Sequence, residues 1–97
     1  MPINASQKRF LRGRTHHLNP VVMIGDKGMS ENVLIELERA LDHHELIKVK
    51  LRTDRASRAA LIGQISDQCS AELINKIGQV ACFYRRNSEK PVIELPK

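Results

Sequence analysis

The chain is expected to fold as an α/β domain in the order helix, strand, helix, strand, helix, strand, strand, with a mixed four-stranded sheet layered with helices. Three observations point there. Apolar residues recur at three- and four-residue spacing in the middle of the chain, one later stretch alternates with period two, and two β-rich runs near the C-terminus flank Gly78-Gln79. Strands separated by helices favour parallel neighbours through crossovers, while the final pair reads as an antiparallel hairpin. With 97 residues the chain suits one core, so a single domain is expected, with a tail from about residue 87.

The first helix is expected from about Ser6, its candidate N-cap, to His16, with Phe10 and Leu11 as apolar anchors. Asn19-Pro20 ends it. Val21 to Ile24 is a continuous apolar run, which suits a short strand buried on both faces or central in the sheet. Ser30 is placed to cap a second helix to about His43, with Val33, Leu34, Leu37, Ala40 and Leu41 on one face and Glu31, Glu36, Glu38 and Asp42 elsewhere. In LIKVKLR, residues 46 to 52, Ile47, Val49 and Leu51 point one way and Lys48, Lys50 and Arg52 the other, predicting a strand with a wet basic face.

Asp54 is placed to cap a third helix to about Cys69, with Ala59, Leu61, Ile62, Ile65 and Cys69 inward. Arg55 and Arg58 in its first turns oppose the helix dipole, so helix stability does not explain them. AELINKI and VACFYR form the hairpin. In the tail, Val92, Ile93 and Leu95 suggest a last short edge strand.

Composition excludes several classes. The chain is 41% apolar and 28% charged with four prolines, ordinary for a folded soluble protein. It holds no apolar run of the roughly 20 residues that cross a membrane, and MPINASQKRF lacks the apolar core of a signal peptide, so the cytoplasm is expected and no membrane partner. Cys69 and Cys82 lack metal-binding spacing and read as buried small hydrophobes. The histidines come as two pairs, 16-17 and 43-44, and adjacent helical residues diverge by about 100°, a poor chelate. Without G-x-S-x-G, H-E-x-x-H or a partnered cysteine, neither catalysis, a small-molecule substrate, a metal nor a cofactor is expected.

The net charge of +5 is unevenly spread. Residues 1–30 carry five bases and one acid, 31–45 one base and five acids, and 46–58 five bases and one acid. Such blocks suit a chain in which some surfaces face a polyanion. Lys8, Arg9, Arg12 and Arg14 lie in the first helix without an interleaved acid, a repulsive arrangement that an anion would relieve.

Between first strand and second helix stands Gly25-Asp26-Lys27-Gly28. It lacks the third glycine of a dinucleotide fingerprint and the G-K-[ST] of a P-loop. Two readings of the glycines stand. They could serve a tight turn, or let a phosphate backbone approach the amides, as the G-x-x-G loop of KH domains does with RNA. Lys27 would add charge there, while Asp26 would shape the turn. With one tyrosine and two phenylalanines there is little surface for base stacking, so backbone contact is favoured over an aromatic platform.

The stretch Gln7 through Leu11 and Gly13, then HHLNPVVMIGDKG, then LDHHELIKVKL, and finally IGQVACFYRR before a short tail, resembles the CRM (chloroplast RNA splicing and ribosome maturation) domain in its stand-alone bacterial YhbY-type form. The resemblance spans nearly the whole chain. It implies a fold like the C-terminal domain of translation initiation factor three with a KH-like loop, and binding of ribosomal RNA in large-subunit precursor particles during ribosome assembly. By position it implies an RNA site at Gly25, Asp26, Lys27 and Gly28, an adjoining basic surface with Lys8, Arg12, Arg14 and His17, and weaker contacts at Arg85 and Arg86; Arg9 joins the basic helix on charge alone. An alternative is a protein-interaction module docking on a ribosomal protein or assembly factor through the acidic second helix or a sheet edge.

Overall fold

A computed structural model describes residues 3–97. Helix α1 spans Ala5–Arg14 and is followed by a short 3-10 turn, Thr15–His17. Then come β1 (Pro20–Ile24), α2 (Glu31–His44), β2 (Leu46–Leu51), α3 (Arg55–Cys69), β3 (Glu72–Ile77) and β4 (Val80–Tyr84). The sheet order is β1-β2-β4-β3, with β1 parallel to β2 and β4 antiparallel to both its neighbours.

The expected element order and mixed sheet are therefore present, with two differences in placement. The chain crosses from β2 through α3 to the far edge, and β4 then folds back into the gap. Ala81, Cys82, Phe83 and Tyr84 are all buried, so β4 needs cover on both faces and takes a central position. The apolar run of β1, expected to be buried all round, is instead an edge strand with Val21 and Met23 about half exposed. Pro20 at its start has no N–H to offer a ladder, which suits an edge.

One face of the sheet carries α2 and α3. Val22, Ile24, Ile47, Val49, Leu51, Ala81 and Phe83 meet Leu37 and Leu41 of α2 and Leu61, Ile65 and Cys69 of α3 there. Ala59, expected to face inward, is exposed. The opposite face carries α1, whose Leu11 packs with Leu46, Ile74, Cys82 and Tyr84. The strand face expected to be wet is thus covered at its Leu46 end, and Lys48 and Lys50 are half-buried.

The caps at Ser30 and Asp54 are as expected, each side chain accepting a backbone N–H three residues on. At α1 the cap is Asn4 rather than Ser6. Asn4 Oδ1 accepts from Gln7 N at 2.8 Å and Gln7 Oε1 accepts from Asn4 N at 3.0 Å, a reciprocal pair that no serine at position 6 could form with Gln7 one residue away. The tail forms no edge strand. Its Val92 and Ile93 N–H groups donate to the carboxylate of the fully buried Glu45 at 2.7 and 2.6 Å, as does Asn87 N at 2.7 Å. Once their donors are committed to a side chain, no ladder is available to them.

Candidate nucleic-acid interface

The glycine loop leaves the end of β1 as a tight turn in which Gly28 N–H donates to Gly25 O at 3.0 Å. Its two glycines differ in what they do. Gly28 has φ +68°, in the left-handed region where a Cβ is penalised. Gly25 is outside that region, and a Cβ built there would meet nothing within 4 Å. Turn geometry therefore accounts for Gly28 and leaves Gly25 unexplained. Asp26 and Lys27 between them are exposed.

The loop forms one wall of a cleft of about 420 Å³ whose other wall is α3. Ser57, Gln64 and Gln68 line that wall and Thr53 lies just before it, groups able to donate and accept hydrogen bonds to bases or ribose. The sequence reading missed them. Residues 57, 61, 64 and 68 recur at helical spacing, and the polar ones among them form a stripe beside the apolar face, a signal that was present. Arg52 adjoins the loop: its N–H donates to Ile24 O at 2.8 Å and its guanidinium lies 3.8 Å from the Met23 sulfur. Arg55 is exposed nearby in sequence, whereas Arg58 donates to Thr53 O at 2.7 Å and fastens the entry to α3.

The basic helix lies elsewhere. α1 is across the sheet from the loop cleft, and its cations do not form one patch. Lys8, about 60° round the helix from buried Leu11, is half-buried, Arg9 points outward, and Arg12 is exposed to one side. Arg14 lies on the other side over the Phe10 ring, 5.6 Å from its centroid. It shares a second cleft with His17, at the starting ends of β1 and β2. Loop and helix thus lie on opposite faces of the sheet, the loop at the end of β1 and Arg14 by its start.

Arg85, implied by position as an RNA contact, is otherwise engaged. Its guanidinium pairs with Glu38 and with Asp42 at 2.8 Å, and donates to Cys69 O at 2.9 Å. Burial opposes its charge, but the hydrogen bonds and charges of the two acids outweigh that and raise its pKa. The same pairs offset the charge of two acids of α2, which stay 45% and 69% exposed, so part of the acidic surface suggested for protein docking is neutralised. Arg86 is exposed, at the end of the sheet remote from the loop. Burial raises the thiol pKa of both Cys69 and Cys82, away from reactive thiolate. Among the described residues, no three His, Cys, Asp or Glu side chains come together as a metal-holding group.

The family model of the CRS1/YhbY (CRM) domain matches residues 3–85. The chain belongs to the CRS1/YhbY (CRM) domain family. A Haemophilus influenzae protein named RNA-binding protein is 46% identical over 96 residues, covering 98% of this chain and 96% of that one. A Bacillus subtilis protein named "Probable RNA-binding protein YqeI" is 32% identical over 95 residues, 97% of this chain and 99% of the relative. The solution structure of the Staphylococcus aureus protein SAV1595 superposes with a TM-score of 0.83 at 32% identity, covering 98% of this chain and all of that one. The CRM match includes both clefts' strands and the loop, and stops at Arg85, before the tail.

Proposed function

We propose that this CRM-family chain is a non-catalytic RNA-binding protein that holds RNA backbone at the Gly25–Gly28 loop. The observation that carries the reading is the place of Gly25: a Cβ there would meet nothing within 4 Å, as at Gly13 and Gly63, but of these three Gly25 is the one that opens the loop, where the free space leaves room for a phosphate. Lys27 and Arg52 supply positive charge beside it, and the relatives named as RNA-binding proteins support the same ligand. Phosphate contacts made by such groups give affinity, and polar groups along α3 meet the nucleotides.

The RNA proposed is ribosomal RNA in precursors of the large subunit, and the role is ribosome assembly in the cytoplasm. Among the described residues no helix is long and apolar enough to cross a membrane. Two measurements test the reading. Ribosomal RNA fragments titrated against wild type and Gly25→Leu should show a large loss of affinity in the folded variant. In gradient-fractionated lysates the protein should co-sediment with large-subunit precursors and be released by ribonuclease. Equal affinity for both proteins would remove the loop from the site, and co-sedimentation that survives complete ribonuclease digestion would favour a protein partner.

A further inference from the structure

The histidine pairs have no part in the loop reading, yet the fold brings one member of each to a single cleft. His17, from the turn after α1, and His44, at the end of α2, line it together with Arg14 and Lys48. No Asp or Glu is among its lining residues. Neither Arg14 nor Lys48 is ion-paired among the described residues. The Glu45 carboxylate, which accepts from the N–H groups of the lining residues Val92 and Ile93, is buried behind the wall. At the open mouth the basic groups repel one another, and an anion there relieves that cost.

Apart from Gly13 and the polar Asn19, the rest of the lining is apolar. Leu18 and Leu46 form part of it, and Val21 and Val92 stand on its walls at 49% and 58% exposure. These two are among five large apolar side chains exposed in the described chain, so open apolar surface gathers where unpaired positive charge does. The volume, about 640 Å³, is in the range of clefts that take small organic groups. A ligand with a flat apolar body and an anionic end satisfies both halves of this lining.

The position of the cleft selects which such ligand. Val21 is on its wall and Gly25 opens the loop, four residues further along the chain and just past the end of β1, about 13 Å at the rise of a β-strand. β1 is an edge, with Met23 exposed between them. A nucleic-acid strand clamped at the loop has only to follow that edge to reach the cleft. We propose that the cleft receives one unpaired nucleotide of the RNA held at the glycine loop, its base against Val21, Leu46 and Val92 and its phosphate at Arg14, His17, His44 and Lys48. This rests on the RNA-binding reading above.

The test is two-dimensional amide NMR of the labelled full chain, titrated with a short unstructured adenosine oligonucleotide and with the same oligonucleotide carrying a central abasic site. Wild type should show shifts both at Gly25–Gly28 and at Arg14, His17, Val21, His44 and Lys48, the abasic probe losing much of the second set. Lys48→Gln should keep the loop shifts, lose the cleft shifts and reduce the salt slope of binding by about one. Because Lys48 is half-buried, exposed His44→Ala serves as the second variant, with the same loss expected. Shifts confined to the loop would overturn the nucleotide cleft while leaving the RNA reading intact. Cleft shifts produced by an acidic peptide but by no RNA would overturn it in favour of a protein partner. Absence of shifts anywhere, with structured ribosomal RNA fragments as well, would overturn the RNA reading and the cleft with it.

Discussion

Replacing the two loop glycines one at a time separates what the fold needs from what a ligand needs. Gly28→Ala places a Cβ at φ +68°, which costs roughly 1–2 kcal/mol. Its new methyl sits 3.9 Å from Leu61 Cδ2, an ordinary contact, so backbone conformation is the whole penalty. For a domain of this size that lowers Tm by roughly 4–16 °C. The Cβ of Gly25→Leu meets nothing within 4 Å, and as an exposed substitution it should change stability by no more than about 0.5 kcal/mol.

Binding should rank them the other way. A phosphate oxygen must come within about 3 Å of a loop N–H to accept from it, and a leucine side chain at position 25 would stand in its path. Losing one hydrogen bond to a charged group, worth roughly 1.5–3 kcal/mol, weakens binding on the order of tenfold to a hundredfold. Thermal melts followed by circular dichroism, and fluorescence-anisotropy titrations with a ribosomal RNA fragment, read the two quantities. Wild-type affinity in Gly25→Leu would refute the reasoning, because the absent side chain would then have neither a structural nor a ligand role.

Three further outcomes follow from the geometry. Glu45→Gln replaces an acceptor of three backbone N–H groups; it should cost roughly 2–4 kcal/mol, with fast hydrogen exchange at Asn87, Val92 and Ile93 as the local sign. Arg85→Met should destabilise by roughly 1–3 kcal/mol through the lost contacts to Glu38, Asp42 and Cys69 O, yet leave RNA affinity unchanged in titrations below the melting temperature. The Ser57 N–H, first, with the Ser57 side chain and the Arg58 charge, holds the Asp54 pKa below its ordinary 3.8. A depressed folded pKa gives stability that is present above 3.8 and lost as pH falls through the lower folded value. Acid melts should therefore show wild type losing stability relative to Asp54→Asn, which keeps a capping oxygen without the titration.

The elements legible in the sequence were those whose signal is local. Ser30 and Asp54 act within one turn of the helices they cap, and the alternation of β2 correctly puts Ile47, Val49 and Leu51 on one face, which α2 and α3 cover. What was not legible depends on residues distant in sequence. The apolar run of β1 carries no sign of whether a neighbour lies on both sides, and it took the return of β4 beside β2 to make β1 an edge. Glu45 looks like one more surface acid until the tail, more than 40 residues later, donates three N–H groups to it. The loop was found from its glycines, but its opposing wall of Ser57, Gln64 and Gln68 belongs to another helix and emerges only in the fold.

The same layering divides the basic residues in a way that linear charge patterning hides. Arg14 and His17 line the cleft at the start of β1, on the path proposed for a strand that follows that edge to the loop. Arg9 and Arg12 face solvent on the far side of the sheet from the loop cleft; Arg9 lies about 200° round the helix from Leu11. A short single strand spanning loop and edge cannot also lie over them, whereas a folded RNA with a second segment can. Reversing both, Arg9→Glu with Arg12→Glu, should leave affinity for a short oligonucleotide nearly unchanged. For a structured ribosomal RNA fragment it should weaken binding and lower the salt slope by about two. Parallel anisotropy titrations over a salt series measure both. A loss as large with the short strand as with the folded fragment would mean that the strand runs over α1 rather than along β1, and the edge path would be wrong.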